Sequence, residues 1–160
     1  MQIRYASMND LTAISELEKA CFPPLEAAPA ESFERRIRVF PNHFWLLYDH
    51  QTLISCVNGF CSDNEILTDE MFEKAEMHNE GGAWQMVFGV LTHPDHRKKG
   101  CATLLMNRMI EDTRKQKRKG VILTCKEALI PFYARFGFID EGVSVSEHGG
   151  ALWHQMRITF

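Results

Sequence analysis

The chain has 160 residues, 45% of them hydrophobic, and a formal net charge of -3. That length suits one globular domain with a single core and leaves no room for a second catalytic domain. No apolar run approaches the ~20 residues that a membrane span needs, and the N-terminus lacks the apolar core of a secretory signal, so we expect a cytoplasmic protein. The five cysteines are odd in number and include no CxxC pair, which predicts neither a disulfide framework nor a metal site.

The first half of the chain predicts two helices framed by strands. Alternating apolar residues mark the strands, and apolar residues at helical spacing, ended by prolines, mark the helices. The predicted elements are a strand over residues 2–6, helices over 11–21 and 31–40, and strands over 43–48 and 52–60.

The second half predicts a central strand, a long helix and a closing pair of strands. The elements are a short helix near Asp69–Met77, a buried strand over Trp84–Leu91, a long helix from Lys98 that stops at Gly120, a strand over Val121–Cys125, a helix over Ala128–Phe136, and strands over Phe138–Val145 and Ala151–Ile158. Strands and helices alternate in the middle, whereas strands pair as hairpins at both ends. This order predicts an α/β (α+β) fold, a mixed sheet flanked by helices.

Charge is unevenly distributed along the chain. Residues 61–80 hold seven acids and one lysine, a segment that either attracts cationic amines or is simply a solvated loop. The basic turn at 114–119 has no interleaved aromatic residues, so we expect no nucleic-acid partner. It is interpreted as a solvated face that completes the long helix.

The stretch between the central strand and the long helix predicts an anion site. The first amides of a helix lack partners and carry partial positive charge, so they bind phosphate. Gly100 and Ala102 allow close approach, and Arg97, Lys98 and Lys99 add formal charge. The six residues alone also suit a basic helix start that binds nothing, so their context decides.

The segment Arg97–Ala102 resembles [RQ]-x-x-G-x-[GA], the acetyl-CoA pyrophosphate signature of the GNAT acetyltransferase superfamily. The order of elements is similar to the GNAT fold across nearly all 160 residues. The block Val121–Phe138, with its Ala-Leu, Pro-Phe-Tyr and Arg-Phe-Gly-Phe, resembles arylalkylamine (serotonin) N-acetyltransferases. Cys21-Phe22-Pro23 and Glu26-Ala27-Ala28 are similar to microbial members of that branch.

The resemblance implies which residues hold the cofactor, acetyl-CoA, and which donate a proton. Tyr133 matches the family tyrosine placed near the cofactor sulfur, where a phenol can protonate the departing thiolate. Outside this block, a tyrosine beside Phe132 and Phe136 would be interpreted as a core aromatic. The implied cofactor-binding residues are Val90, Leu91, Thr92, Arg97, Lys98, Lys99, Gly100, Cys101 and Ala102.

The sequence departs from the animal enzymes on the central strand. Their two histidines, thought to relay the amine proton, are replaced by Met86 and Phe88. Deprotonating an alkylammonium at neutral pH costs about 4–5 kcal/mol, from a gap of ~3.4 pKa units. Glu26, in the loop that lines the acceptor pocket of this fold, is the candidate base; a loop glutamate that caps the next helix or faces water is an equally good interpretation.

We therefore predict an N-acetyltransferase that moves acetyl from acetyl-CoA to a small primary amine by direct attack in a ternary complex. One alternative is a regulatory module that binds acyl-CoA without chemistry, because the histidine pair is missing. Another is acetylation of a protein N-terminus or lysine. The expected partner is a small-molecule amine, with neither nucleic acid nor membrane, and the chain is expected as a monomer or homodimer.

Overall fold

The computed structural model describes all 160 residues as two β-sheets with helices packed on them. The strands are β1 (Gln2–Arg4), β2 (Phe44–Asp49), β3 (Thr52–Asn58), β4 (Cys61–Ser62), β5 (Trp84–Val87), β6 (Gly89–Thr92), β7 (Gly120–Cys125), β8 (Ile139–Val143) and β9 (His154–Thr159). The helices are α1 (Leu11–Cys21), α2 (Ala30–Val39), α3 (Asp69–Glu73), α4 (Cys101–Lys115) and α5 (Ile130–Ala134). The predicted mixed fold flanked by helices is confirmed.

The two sheets divide the strands between them. One sheet is antiparallel, in the order β1-β2-β3-β6. The other has the order β4-β5-β7-β9-β8, in which β5 and β7 run parallel and the other neighbours antiparallel. The long helix α4 supplies the crossover that joins β6 to β7.

The central strand is not continuous, so the prediction of one strand over Trp84–Leu91 is wrong. It breaks at Phe88, and β5 pairs in one sheet while β6 pairs in the other. The preceding chain switches sheets at the same level, between β3 and β4, where a Cβ on Gly59 would lie 1.9 Å from the Met86 carbonyl oxygen. Both segments change sheets at this level, which the mostly apolar sequence of residues 84–91 does not reveal.

Two apolar clusters occupy the faces of these sheets. One contains Ile14, Phe33 and their neighbours from α1 and α2, and the other contains Leu105 and Met109 of α4. Asp112 of α4 is buried and accepts hydrogen bonds from Trp45 Nε1 (2.9 Å), the Tyr5 hydroxyl (3.0 Å) and Arg108 Nε (3.2 Å). These bonds fix α4 to the first sheet.

The structure corrects the predicted boundaries of the long helix and of the closing strands. Helix α4 ends at Lys115, and Gly120 is the first residue of β7, where a Cβ would lie 1.9 Å from the Ile158 carbonyl oxygen. Glycine is therefore required there by close strand packing rather than as a helix stop. The closing strands are shorter than expected and leave a longer loop, residues 144–153, between β8 and β9.

No helix in the protein combines the length and the apolar character that a membrane span requires.

Candidate active site

The site is the gap that opens between β6 and β7 beyond Phe88. Strand β6 pairs with β3 on one side only and has no strand on its other side. His93 N donates to Ile54 O (2.9 Å), which continues the register of β3 and β6. In an antiparallel pair, alternate residues direct their backbone groups toward the neighbouring strand, so Leu91 and His93 bond to β3 and the residues between them face the other way. Val90 and Thr92 therefore direct backbone groups into the gap, where they can bind an extended amide chain as a neighbouring strand would.

The N-terminus of α4 closes one end of the gap. Its first hydrogen bond is from Leu104 N to Gly100 O, so the amides of residues 101–103 have no partner in a preceding turn. Gly100 has a φ of 80°, and nothing lies within 4 Å of the place where its Cβ would be. The amides are therefore open to an anion at close range, which suits the diphosphate of coenzyme A.

The predicted cofactor residues do not all face this gap. Arg97 donates from Nε to the Thr92 carbonyl (3.2 Å), which holds the loop against the end of β6. Leu91 is fully buried and its carbonyl accepts a hydrogen bond from Ser55 Oγ (2.7 Å). Cys101 packs its side chain into the core, so only its backbone amide can bind a phosphate. Lys98 and Lys99 lie exposed beside the helix start.

Behind the gap lies a cavity of about 410 Å³. Its wall combines aromatic rings with a few polar groups, a composition typical of small-molecule sites. The aromatic residues of the wall are Phe22, Phe72, Phe88, Tyr133 and Trp153. The cavity reaches both edges of the gap, since Gly89, Val90 and Cys125 also line it.

Tyr133 of α5 lies in this wall on the β7 side. Its ring is 6% exposed and contacts Phe132 and Phe138 edge-on. Its hydroxyl makes no hydrogen bond within the protein. Burial, with the Cys125 thiol nearby, raises the pKa of Tyr133 above its ordinary value of 10.0. The phenol therefore stays protonated and can act as a proton donor.

Glu26 lies in the cavity wall, as the sequence predicts, but it is ion-paired. Lys126 Nζ is 2.6 Å from Glu26 Oε1, at an angle outside the hydrogen-bond range, and Oε2 has no partner. Both carboxylate oxygens are covered. The Glu26 backbone carbonyl in turn bonds His148 Nε2 (2.7 Å).

Several polar wall residues were missed by the sequence analysis. Helix α1 contributes Glu18, α2 contributes Arg36, β3 contributes Asn58, and the β8–β9 loop contributes His148. Arg36 is 3% exposed and donates from Nη1 to Asn58 Oδ1 (3.2 Å), and burial lowers the pKa of its guanidinium to about 10. A charged residue at a core-facing helix position was the available signal for Glu18 and Arg36; nothing local marks Asn58 or His148.

The β8–β9 loop contributes Ser146, His148 and Trp153 to the cavity wall. Ser146 Oγ donates to Asp69 Oδ1 (2.5 Å), and the Glu147 amide donates to Asp69 Oδ2 (3.0 Å). The His148 ring stacks on Phe72 at a centroid distance of 5.7 Å. The acidic insertion around α3 thus holds the loop in place.

The positions of the missing histidine pair are apolar and filled. Met86 is fully buried in the core. Phe88 lies in the cavity wall and packs against Phe60 and Phe72, with centroid distances of 4.9 and 4.7 Å. Neither position can bind a proton.

A separate histidine cluster satisfies its own hydrogen bonds. His43 and His78 both place Nε2 at Glu80 Oε1, at 2.9 and 3.0 Å, and Arg118 binds Glu80 Oε2 at 2.8 Å. Since His78 Nδ1 accepts the Cys61 amide (3.1 Å), its proton sits on Nε2, the atom a metal ion would need. The donor set therefore suits an ion-paired structural cluster rather than a metal centre.

The groove has an unpaired strand edge, a helix N-terminus with free amides and an adjoining cavity. It suits a long ligand that carries an amide chain and a diphosphate. These features place the protein among the acyl-CoA-dependent transferases. A family profile described as an acetyltransferase (GNAT) domain matches residues 2–139. The chain belongs to the GNAT family and is an N-acetyltransferase that uses a coenzyme A thioester.

Known proteins agree with this assignment. Serotonin N-acetyltransferase of Mesocricetus auratus is 28% identical over 141 residues, which cover 86% of this chain and 67% of that protein. The loading GNATL domain of CurA from Lyngbya majuscula has a TM-score of 0.86 at 15% identity, covering 99% of this chain and 96% of that one. A GNAT-like decarboxylase, GphF, bound to isobutyryl-CoA has a TM-score of 0.83 at 16% identity, covering 99% of each chain. At such identities the two structures show the fold alone.

Proposed function

We propose that the protein acetylates a small primary amine by direct attack on acetyl-CoA in a ternary complex. The observation that carries this proposal is the aromatic-lined cavity that meets the gap at Tyr133. A cavity of about 410 Å³ has the size of a small-molecule site. An arylalkylamine suits the aromatic wall, and the similarity to the Mesocricetus auratus enzyme supports the same class of acceptor.

Each part of the site has a separate task. Val90 and Thr92 bind the pantetheine arm along β6, and the amides at residues 100–102 bind the diphosphate. Arg97, Lys98 and Lys99 add positive charge around it. Coenzyme A supplies the acetyl group as a thioester, and Tyr133 donates its proton to the sulfur that departs.

Glu26 stays a prediction as the base that takes the amine proton. Its place in the cavity wall supports that role, because an ammonium group in the cavity would be attracted to a carboxylate. The ion pair with Lys126 must open before the carboxylate can accept a proton. Glu26 therefore acts only if the Lys126 side chain or the loop between α1 and α2 moves.

The experiment is a thiol-release assay with acetyl-CoA over a panel of 2-phenylethylamine, tryptamine, spermidine and glucosamine. We expect turnover of at least one small amine, with the N-acetyl product identified by mass spectrometry. A ternary complex predicts intersecting double-reciprocal plots, whereas parallel plots would indicate a covalent acetyl-enzyme instead. Coenzyme A binding without turnover of any amine in the panel would contradict the proposed function.

A further inference from the structure

The cavity wall offers more than one carboxylate for the acceptor amine. Glu18, Glu26, Asp69 and Glu73 all line it. Glu26 and Asp69 are bound to other parts of the protein, and Glu73 is exposed to solvent. Glu18 alone combines burial with an oxygen that has no partner and is not covered by the protein.

Glu18 reaches the reacting end of the gap from the last turns of α1. Its side chain is 6% exposed, and Oε2 accepts a hydrogen bond from the Ala28 amide (2.8 Å), which fixes the carboxylate. The other oxygen, Oε1, would lie 4.0 Å from a methyl group at Gly89. Gly89 is the first residue of β6, where the sheets separate and the gap begins. The carboxylate oxygen thus faces the place where a thioester bound along β6 ends.

The charges around Glu18 suit a group that exchanges protons. Burial raises the pKa of the Glu18 carboxyl, toward the range of a base that works near neutral pH. The hydrogen bond from the Ala28 amide opposes that rise, and so do the charges of Arg36 from α2 and His148 from the β8–β9 loop. The thiols of Cys21 and Cys56, from α1 and β3, are the other titratable neighbours, and burial raises the pKa of both.

We propose that Glu18 is the catalytic base that accepts the proton from the acceptor ammonium, in place of the absent histidine pair. The assignment rests on the proposed function. One ammonium proton moves to Glu18 Oε1 and later to solvent. The nitrogen lone pair then forms the N–C bond to the acetyl carbon as the C–S bond breaks. The sulfur takes a proton from Tyr133, and the second nitrogen proton restores the phenol through water.

The experiment compares Glu18→Gln with wild type on two amines of nearly the same shape. These are 2-phenylethylamine, a strongly basic amine, and its β,β-difluoro analogue, which is largely neutral at neutral pH. The amide can still accept the Ala28 hydrogen bond, so the fold is kept, which a melting curve checks. Glu16→Gln, on the exposed face of the same helix, is the matched control, and Glu26→Gln tests the competing carboxylate.

We expect Glu18→Gln to lower kcat with 2-phenylethylamine by about 100-fold and with the fluorinated amine by much less, because only the first needs a base. The decline of kcat at acidic pH should also be absent in Glu18→Gln. An equal loss on both amines, no loss, or the selective loss in Glu26→Gln instead would overturn the assignment while leaving the acetyltransferase intact. If wild type acetylates neither amine, the proposed function fails for this acceptor class, and the role of Glu18 fails with it.

Discussion

Replacing Tyr133 with phenylalanine separates catalysis from stability. The phenol has no hydrogen-bond partner within the protein, so its removal leaves no buried donor or acceptor unsatisfied. The aromatic contacts with Phe132 and Phe138 remain. We therefore expect the free energy of unfolding to change by less than about 1 kcal/mol. The loss of the proton donor should lower kcat about 100-fold or more, which raises the barrier by at least ~2.7 kcal/mol.

The matched control is Tyr48→Phe, which should show the opposite behaviour. The Tyr48 hydroxyl donates to Asp10 Oδ1 (2.6 Å), away from the cavity. Its removal should lower the free energy of unfolding by about 1.5–3 kcal/mol, the range for a hydrogen bond to a charged group, and leave kcat unchanged.

The assays are initial rates of thiol release, urea unfolding, and calorimetric titration with coenzyme A for both variants. Because the pKa of Tyr133 is raised above 10.0, the phenol should cause no alkaline decline of rate below that pH. Tyr133→Phe with wild-type kcat would refute the role of the phenol. A fall in kcat matched by lost coenzyme A affinity would reassign Tyr133 to binding.

Three further outcomes test the fold and the cofactor groove. Asp112→Ala should lower the free energy of unfolding in urea by about 3 kcal/mol, because it leaves a buried indole N–H without its acceptor. Gly100→Ala should weaken coenzyme A binding several-fold in calorimetry, whereas Gly142→Ala, with a φ of 94° and equally open space but far from the groove, should cost about 1 kcal/mol of stability and no affinity. Burial acts to raise the pKa of Asp10, but hydrogen bonds, led by the one from the Arg4 guanidinium, outweigh it and hold that pKa below 3.8. Asp10 therefore stabilises the fold above that pH, and the stability gap between wild type and Asp10→Asn should shrink as pH falls below 3.8; a gap that stays constant in acid would contradict this.

The order of elements could be predicted from the sequence because each has a local signal. Proline stops, helical spacing and alternating strands predict α1, α2, β2 and β3 to within two residues at each end. The sequence does not predict the break at Phe88, because residues 84–91 are apolar apart from Gln85 and Gly89 and contain no proline or polar turn. The separation of the sheets depends on how closely Gly59 approaches Met86 across the fold, which no short window of sequence contains.

The candidate site likewise contains residues that the sequence predicts and residues that it does not. The helix start at Gly100 and the block around Tyr133 are continuous in sequence, and the structure places both at the gap. Glu18, Arg36 and His148 come from three distant segments, so only packing brings them to one wall. His148 in particular has no sequence signal, because its place depends on the hydrogen bond to the Glu26 carbonyl and on stacking against Phe72.

The separation of β6 from β7 also affects the stability of the protein when no coenzyme A is bound. Two adjacent strands that share no hydrogen bonds along this seam make it a natural place for local opening. Coenzyme A binds only the folded chain, so at a hundred times its dissociation constant it should add about 2.7 kcal/mol of stability by mass action. Resistance to proteolysis would then report the supply of the thioester, and a cell short of acetyl-CoA would hold less of the enzyme.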